Sequence, residues 1–65
     1  MDTRYSRLKE LRVHNSMTQK DFGKILGIKT NMYQKYEYGL MELPVKHAKT
    51  LGKYFNFDWW MLYED

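Results

Sequence analysis

Lys29, Thr30, Asn31, Gln34 and Lys35 place two ammonium groups, two amides and a hydroxyl within a short stretch of chain. An asparagine amide holds a donor beside an acceptor, which matches N7 and N6 of adenine on its major-groove edge. A lysine one turn further along reaches guanine O6 and N7 or a phosphate. Asn31 is therefore the first candidate for base contact, followed by Lys35, with Gln34 and Thr30 as weaker candidates. Lys29 is better suited to a phosphate than to a base. The plain alternatives are an asparagine bonded to its own helix start and lysines that merely solvate a surface.

These side chains need a rigid support, and the flanking residues describe one. Thr18 is a good N-cap, and Asp21 three residues later completes a capping box. Met17 and Phe22 stand at the two positions of a hydrophobic staple. Phe22, Ile25 and Leu26 form one apolar stripe, and Gly27 follows at the left-handed stop. Tyr33 and Tyr36 form a second stripe ahead of Gly39, another stop. Two helices this short cannot stand alone in water and must pack together. The segment from Thr18 to Gly39 reads as a helix-turn-helix whose outer face suits DNA. Lys20 and Lys24 occupy exposed positions of its first helix.

The other helices follow from the same signals. Met1 to Asn15 reads as a first helix, capped by Asp2 or Thr3, with Tyr5, Leu8 and Leu11 inside and Asn15 as a left-handed stop. Pro44 stands where a helix begins. Ala48, Leu51, Gly52 and Phe55 make a clear fourth stripe ending at Asn56. Asp58 can cap a short fifth helix. No strand-like alternation competes, so the expected fold is all-α, a compact bundle of five short helices over residues 1–65. Gly23 and Gly52 lie inside helices, each costing on the order of 1 kcal/mol against alanine. That cost suits close approach of two backbones, with Gly23 facing the second helix of the motif.

Sixty-five residues make one small domain, and the absence of cysteine excludes disulfides and thiolate metal sites. That suits a reducing cytoplasm. The longest apolar stretch, Trp59 to Tyr63, is far too short to span a membrane. Up to Lys53 there are eleven basic against five acidic residues; from Tyr54 on there are three acids and no base. A basic body with an acidic end presents one face to a polyanion and turns the other away. His14 and His47 have no carboxylate or cysteine at metal-ligand spacing, and no nucleophile motif or phosphate loop appears. We expect no enzyme, no metal and no cofactor.

From Leu8 to Leu62 the chain resembles the Cro/repressor helix-turn-helix family, also called the xenobiotic-response-element family, typified by the lambda and 434 repressors. The resemblance rests on Arg12, Thr18-Gln19, Phe22-Gly23, Leu26-Gly27-Ile28, Glu37, Gly39, Leu51 and Phe55-Asn56-Phe57-Asp58. In that family the second helix of the motif enters the major groove and the first crosses the backbone. By this resemblance Gln19 is a phosphate ligand, joined by free amides at its helix start, and Thr30, Asn31 and Lys35 reach base edges. Arg12 and Glu37 match a buried salt bridge between the first and third helices. The chain departs from the family pattern in three places. Lys29 replaces a Ser or Thr cap, which makes Thr30 the candidate cap. Tyr33 replaces a small aliphatic residue, and the loop Leu40-Met41-Glu42-Leu43 lacks basic residues.

The five large apolar residues Trp59, Trp60, Met61, Leu62 and Tyr63 cannot all face one core. A homodimer is the favoured cover, because the family binds two half-sites as symmetric dimers; core packing with one exposed tryptophan is the alternative. The expected function is double-stranded DNA binding by a small regulator, a repressor of phage or mobile-element type acting in the cytoplasm at a bacterial or phage nucleoid. With no room for a sensing domain, regulation falls to a partner, protein level or operator competition. The rival is a protein-binding module or antitoxin that docks a partner, such as another regulatory protein, through the aromatic segment.

Overall fold

A computed structural model describes residues 6–63. Four α-helices and one 3-10 helix follow in order: α1 Ser6–His14, α2 Gln19–Leu26, α3 Thr30–Glu37, α4 Val45–Phe55, then the 3-10 helix Trp59–Tyr63. The expected first-helix caps Asp2 and Thr3, and the apolar Tyr5, lie outside the described residues.

Local chemistry accounts for most boundaries. The Thr18 hydroxyl accepts from the Asp21 amide at 3.1 Å, and the Asp21 carboxylate accepts from the Thr18 amide at 2.9 Å. The Thr18 main-chain amide, followed by the Thr18 side chain and the charges of Lys24 and Lys20, holds the Asp21 carboxyl below its ordinary range. Gly27 ends α2 in the left-handed region at φ 72°, where a side chain is costly. Asn56 ends α4 in the same way at φ 59°.

Three expectations need correction. The left-handed residue after α1 is Ser16, at φ 55°, and not Asn15. Asn15 instead turns its side-chain amide back to donate to the Leu11 carbonyl at 2.8 Å, so it satisfies the helix end while its neighbour makes the turn. Thr30 does not cap α3; Lys29 does, without any side-chain hydrogen bond. The fifth helix is a 3-10 helix, whose three-residue repeat superposes Trp59 and Leu62 on one face.

Leu8, Phe22, Leu26, Tyr33, Tyr36, Leu43, Ala48, Leu51 and Leu62 form a single core. Phe22 is its centre, edge-on to Tyr33 at 5.6 Å and stacked on Phe55 at 5.4 Å between ring centroids. Both helix-interior glycines mark close approaches. A Cβ on Gly23 would lie 3.0 Å from the Ile28 carbonyl oxygen and 3.6 Å from the Thr30 Cα. It is this contact that sets α3 tightly against α2. A Cβ on Gly52 would meet the Phe57 carbonyl oxygen and the Trp59 Cβ, each at 2.9 Å.

Gly52→Ala should therefore destabilise the fold by about 1–3 kcal/mol through overpacking, although alanine is intrinsically the better helix former. Chemical denaturation checks the sign: a rise in midpoint would show that the α4 to 3-10 contact can open freely.

Candidate nucleic-acid interface

The motif is built around one buried carboxylate. Glu37, in the last turn of α3, keeps only 3% of its side chain exposed. Arg12 of α1 meets it as a fork, Nε donating to Oε2 at 2.9 Å and Nη2 to Oε1 at 3.0 Å. Its remaining Nη1 donates to the Met17 carbonyl at 3.1 Å, just before α2. The Tyr33 hydroxyl donates to Oε2 at 2.6 Å, and Gln19 Nε2 donates to Oε1 at 3.3 Å. Burial alone would raise the Glu37 carboxyl. The hydrogen bonds from Arg12 and Tyr33, the Arg12 charge and the Gln19 bond outweigh burial and hold it below its ordinary value. The same arrangement raises Arg12, chiefly through its bond to Glu37, and burial with the neighbouring carboxylate raises Tyr33 far above an ordinary phenol. The salt bridge implied by the family resemblance is present. Tyr33 was read from the sequence only as a packing change; its spacing of four residues from Glu37 carried the signal for the bond.

From this anchor a chain of amides runs to the surface. Gln19, the first residue of α2, also donates to the Tyr38 hydroxyl at 3.2 Å, and its Oε1 accepts from Gln34 Nε2 at 2.9 Å. Gln19 therefore directs its side-chain amide inward. Its main-chain amide is one of those that a helix start leaves unpaired for an anion. Gln34 is half-buried and tied to Gln19, so it braces α3 against α2. Tyr38, exposed at the end of α3, is a participant that the sequence reading did not single out.

The outward face of α3 carries Asn31 and Lys35, both exposed and one helical turn apart, with Thr30 half-buried beside them. Tyr33, Tyr36 and Glu37 turn the other way into the core. Lys29 is exposed before the helix, and because its side chain makes no cap the first amides of α3 keep no side-chain acceptor. Lys20 and Lys24 project from α2 into solvent. The arrangement sets a basic, amide-rich rim of two helix starts around the exposed face of α3.

A sequence model of the helix-turn-helix family matches residues 8–59. The chain belongs to the Cro/repressor-type helix-turn-helix family. No curated protein and no solved structure matches it. Helix-turn-helix domains of this family bind DNA as regulators and are not enzymes. His47 is consistent with a structural role: its ring lies 5.9 Å from that of Tyr36, and burial with the nearby Lys46 holds it below the ordinary histidine value. No helix among the described residues is long and apolar enough to cross a membrane.

The aromatic segment divides. Leu62 belongs to the core and is withdrawn from the expected interface set. Trp59 and Tyr63 are partly buried, Trp59 under the Lys49 ammonium at 5.6 Å and Tyr63 donating its hydroxyl to the Leu43 carbonyl at 2.6 Å. Trp60 and Met61 remain exposed, at 50% and 42%.

Removing one partner of a buried ion pair leaves the other charge stranded, at a cost of roughly 3–5 kcal/mol. Glu37→Gln should thus destabilise the domain far more than Glu42→Gln, whose carboxylate is exposed. Because the folded-state value of Glu37 is depressed, its contribution is complete above the unfolded carboxyl value. It is lost as pH falls through the folded one. Acid titration of unfolding should show a stability loss in the wild type that Glu37→Gln lacks; identical acid limbs would show that Glu37 is not the linked group.

Proposed function

We propose that this protein is a sequence-specific double-stranded DNA-binding repressor of phage or mobile-element type, acting as a homodimer at an operator on a bacterial or phage nucleoid. The observation that carries this reading is the division of α3. Its inner face is held by the Glu37 network while Asn31 and Lys35 stand outward together. In this reading α3 lies in the major groove, and Asn31 makes a bidentate pair with adenine. Lys35 reaches guanine or a phosphate, Thr30 assists at the helix start, and Gln34 sits against the nearest base edge or sugar while it braces Gln19. Lys20, Lys24, Lys29 and the main-chain amide of Gln19 take phosphates.

Selection from random duplexes, followed by binding measurements on the selected site, tests the assignment. Asn31→Ala should weaken specific binding by about 1–3 kcal/mol and relax preference at one A·T pair. Lys20→Ala should weaken all sequences alike and flatten the salt dependence by about one unit of slope. Equal losses on specific and random DNA for Asn31→Ala would sink the recognition-helix assignment.

A single module of this size buries only about 600–1,000 Å² on DNA. Useful discrimination calls for two copies with recognition helices about 34 Å apart. Trp60 and Met61 are the exposed apolar residues on the C-terminal element that favour such pairing. Trp60→Ala with Met61→Ala should convert cooperative binding at a palindrome into weak, independent half-site binding with the fold retained. A wild type that sediments as a monomer, free and on palindromic DNA, would refute the dimer. The aromatic residues would then favour the rival partner-docking reading.

A further inference from the structure

Among the described residues α4 is the one α-helix without a carboxylate: it carries Lys46, His47, Lys49 and Lys53 and no acid. Ala48, Leu51 and Gly52 turn inward to the core, and the His47 ring lies against Tyr36. At 3.6 residues per turn, Lys46, Lys49 and Lys53 fall within about 60° of one another, on the side turned away from Ala48 and Leu51. All three are exposed. The Lys49 ammonium lies 5.6 Å from the centre of the Trp59 ring, and among the described residues none of the three forms an ion pair. The proposed operator contacts draw on Lys20, Lys24, Lys29 and Lys35 and leave this stripe unused.

The stripe and the outer face of α3 lie on different sides. α2 packs on both α3 and α4, α1 packs on α3, and the 3-10 helix packs on α4 and α1. The five elements thus close a ring around the core in which α2 stands between α3 and α4. Asn31 and Lys35 leave that ring in one direction and the three lysines of α4 in another.

The chemistry of the stripe suits a polyanion. Lys46 to Lys53 covers about 10 Å along the helix axis, and the phosphates of one DNA strand recur about every 3.4 Å along the duplex. Three ammonium groups in a row therefore run beside about three successive phosphates. The nearest acids in sequence, Glu42 and Asp58, lie beyond the two ends of the helix. No apolar side chain stands between the lysines, whereas a docked protein needs a desolvated apolar or aromatic centre. Release of counterions from phosphates supplies affinity without one.

We infer that Lys46, Lys49 and Lys53 form a second, sequence-independent DNA-binding face, whose ligand is the phosphate backbone of a second duplex held while α3 occupies the operator. The protein then joins two DNA segments. The inference rests on the DNA-binding reading of α3 for the first duplex only.

A capture experiment on the whole chain tests it. An immobilised operator duplex is loaded with protein, washed, and exposed to a fluorescent duplex of unrelated sequence at low salt. An immobilised random duplex is run in parallel. The wild type should retain the fluorescent duplex, with retention falling steeply as salt rises. Lys46→Glu and Lys53→Glu should each lower retention about tenfold or more and leave operator affinity within about twofold of wild type. The helix dipole favours a carboxylate at the start of α4 and disfavours one at its end, so a loss common to both variants is not an effect of stability. Lys9→Glu makes the same charge change on the exposed side of α1 and should leave retention within about twofold. No retention by the wild type, or an equal loss with Lys9→Glu, would overturn the second face. So would retention that persists in both α4 variants, which places the second duplex on α3 of another copy. An equal loss of operator affinity in those variants would overturn it too, by placing the stripe on the operator itself. A protein that joins two random duplexes through α4 but selects no operator would remove the sequence-specific reading and leave the second face standing.

Discussion

A carboxylate withdrawn from water has to be paid for by partners, and the pairing of Glu37 organises the helices proposed to face DNA. Its two oxygens receive a forked guanidinium from α1, a phenol from its own helix and an amide from α2. A buried pair of this sort is weak evidence for net stability, since desolvation offsets much of the attraction. Its consequence here is geometric. Three helices too short to hold their own conformation converge on one group, and each has to keep its register for the bonds to form.

That constraint lets α3, the proposed reading helix, be poorly made by the usual criteria. α3 starts at Lys29 with no side-chain cap, where a Ser, Thr, Asp or Asn would contribute about 0.5–2 kcal/mol. An occupied cap would also fill the acceptor position that a phosphate can take. α2 shows the opposite balance: Thr18 and Asp21 close its start reciprocally. The helix that bears Asn31 and Lys35 is held from behind, through Tyr33, Glu37 and the Gln19–Gln34 bridge. Local rules are most often broken where function needs the broken position, and the start of α3 has that character.

Much of this was legible in the sequence because it depends on local chemistry. The capping box, the Gly27 stop, the α4 stripe and the close approach at Gly23 each follow from a few neighbouring residues. The division of α3 into inner and outer faces was equally plain from helical spacing. What was not legible depended on alternatives of nearly equal cost. Asn15 and Ser16 can each make the turn after α1, and the choice fell to Ser16 because the Asn15 amide found the Leu11 carbonyl. Gln19 was read by resemblance as a phosphate ligand. Its side-chain bonds to Gln34, Tyr38 and Glu37 were not legible, because those partners are distant in sequence and visible only once α2 and α3 are packed.

The C-terminal element shows how a change of helix type alters which residues are available. In an α-helix the apolar run from Trp59 to Tyr63 would wind steadily around the axis, and no two of its members three apart would superpose. The 3-10 repeat aligns Trp59 with Leu62, so one face suffices to lodge both against the domain, with Trp59 seated over the Cα of Gly52. The Tyr63 hydroxyl is then satisfied by the Leu43 carbonyl, which closes the loop between α3 and α4 onto the same element. Once those three are placed, Trp60 and Met61 have no inward direction left. Their exposure is therefore a geometric consequence of how the core is closed, and it places apolar surface beside α1, away from the proposed DNA-contacting residues. In a domain this small, one short element completes the core and also leaves an apolar edge on which association can be built.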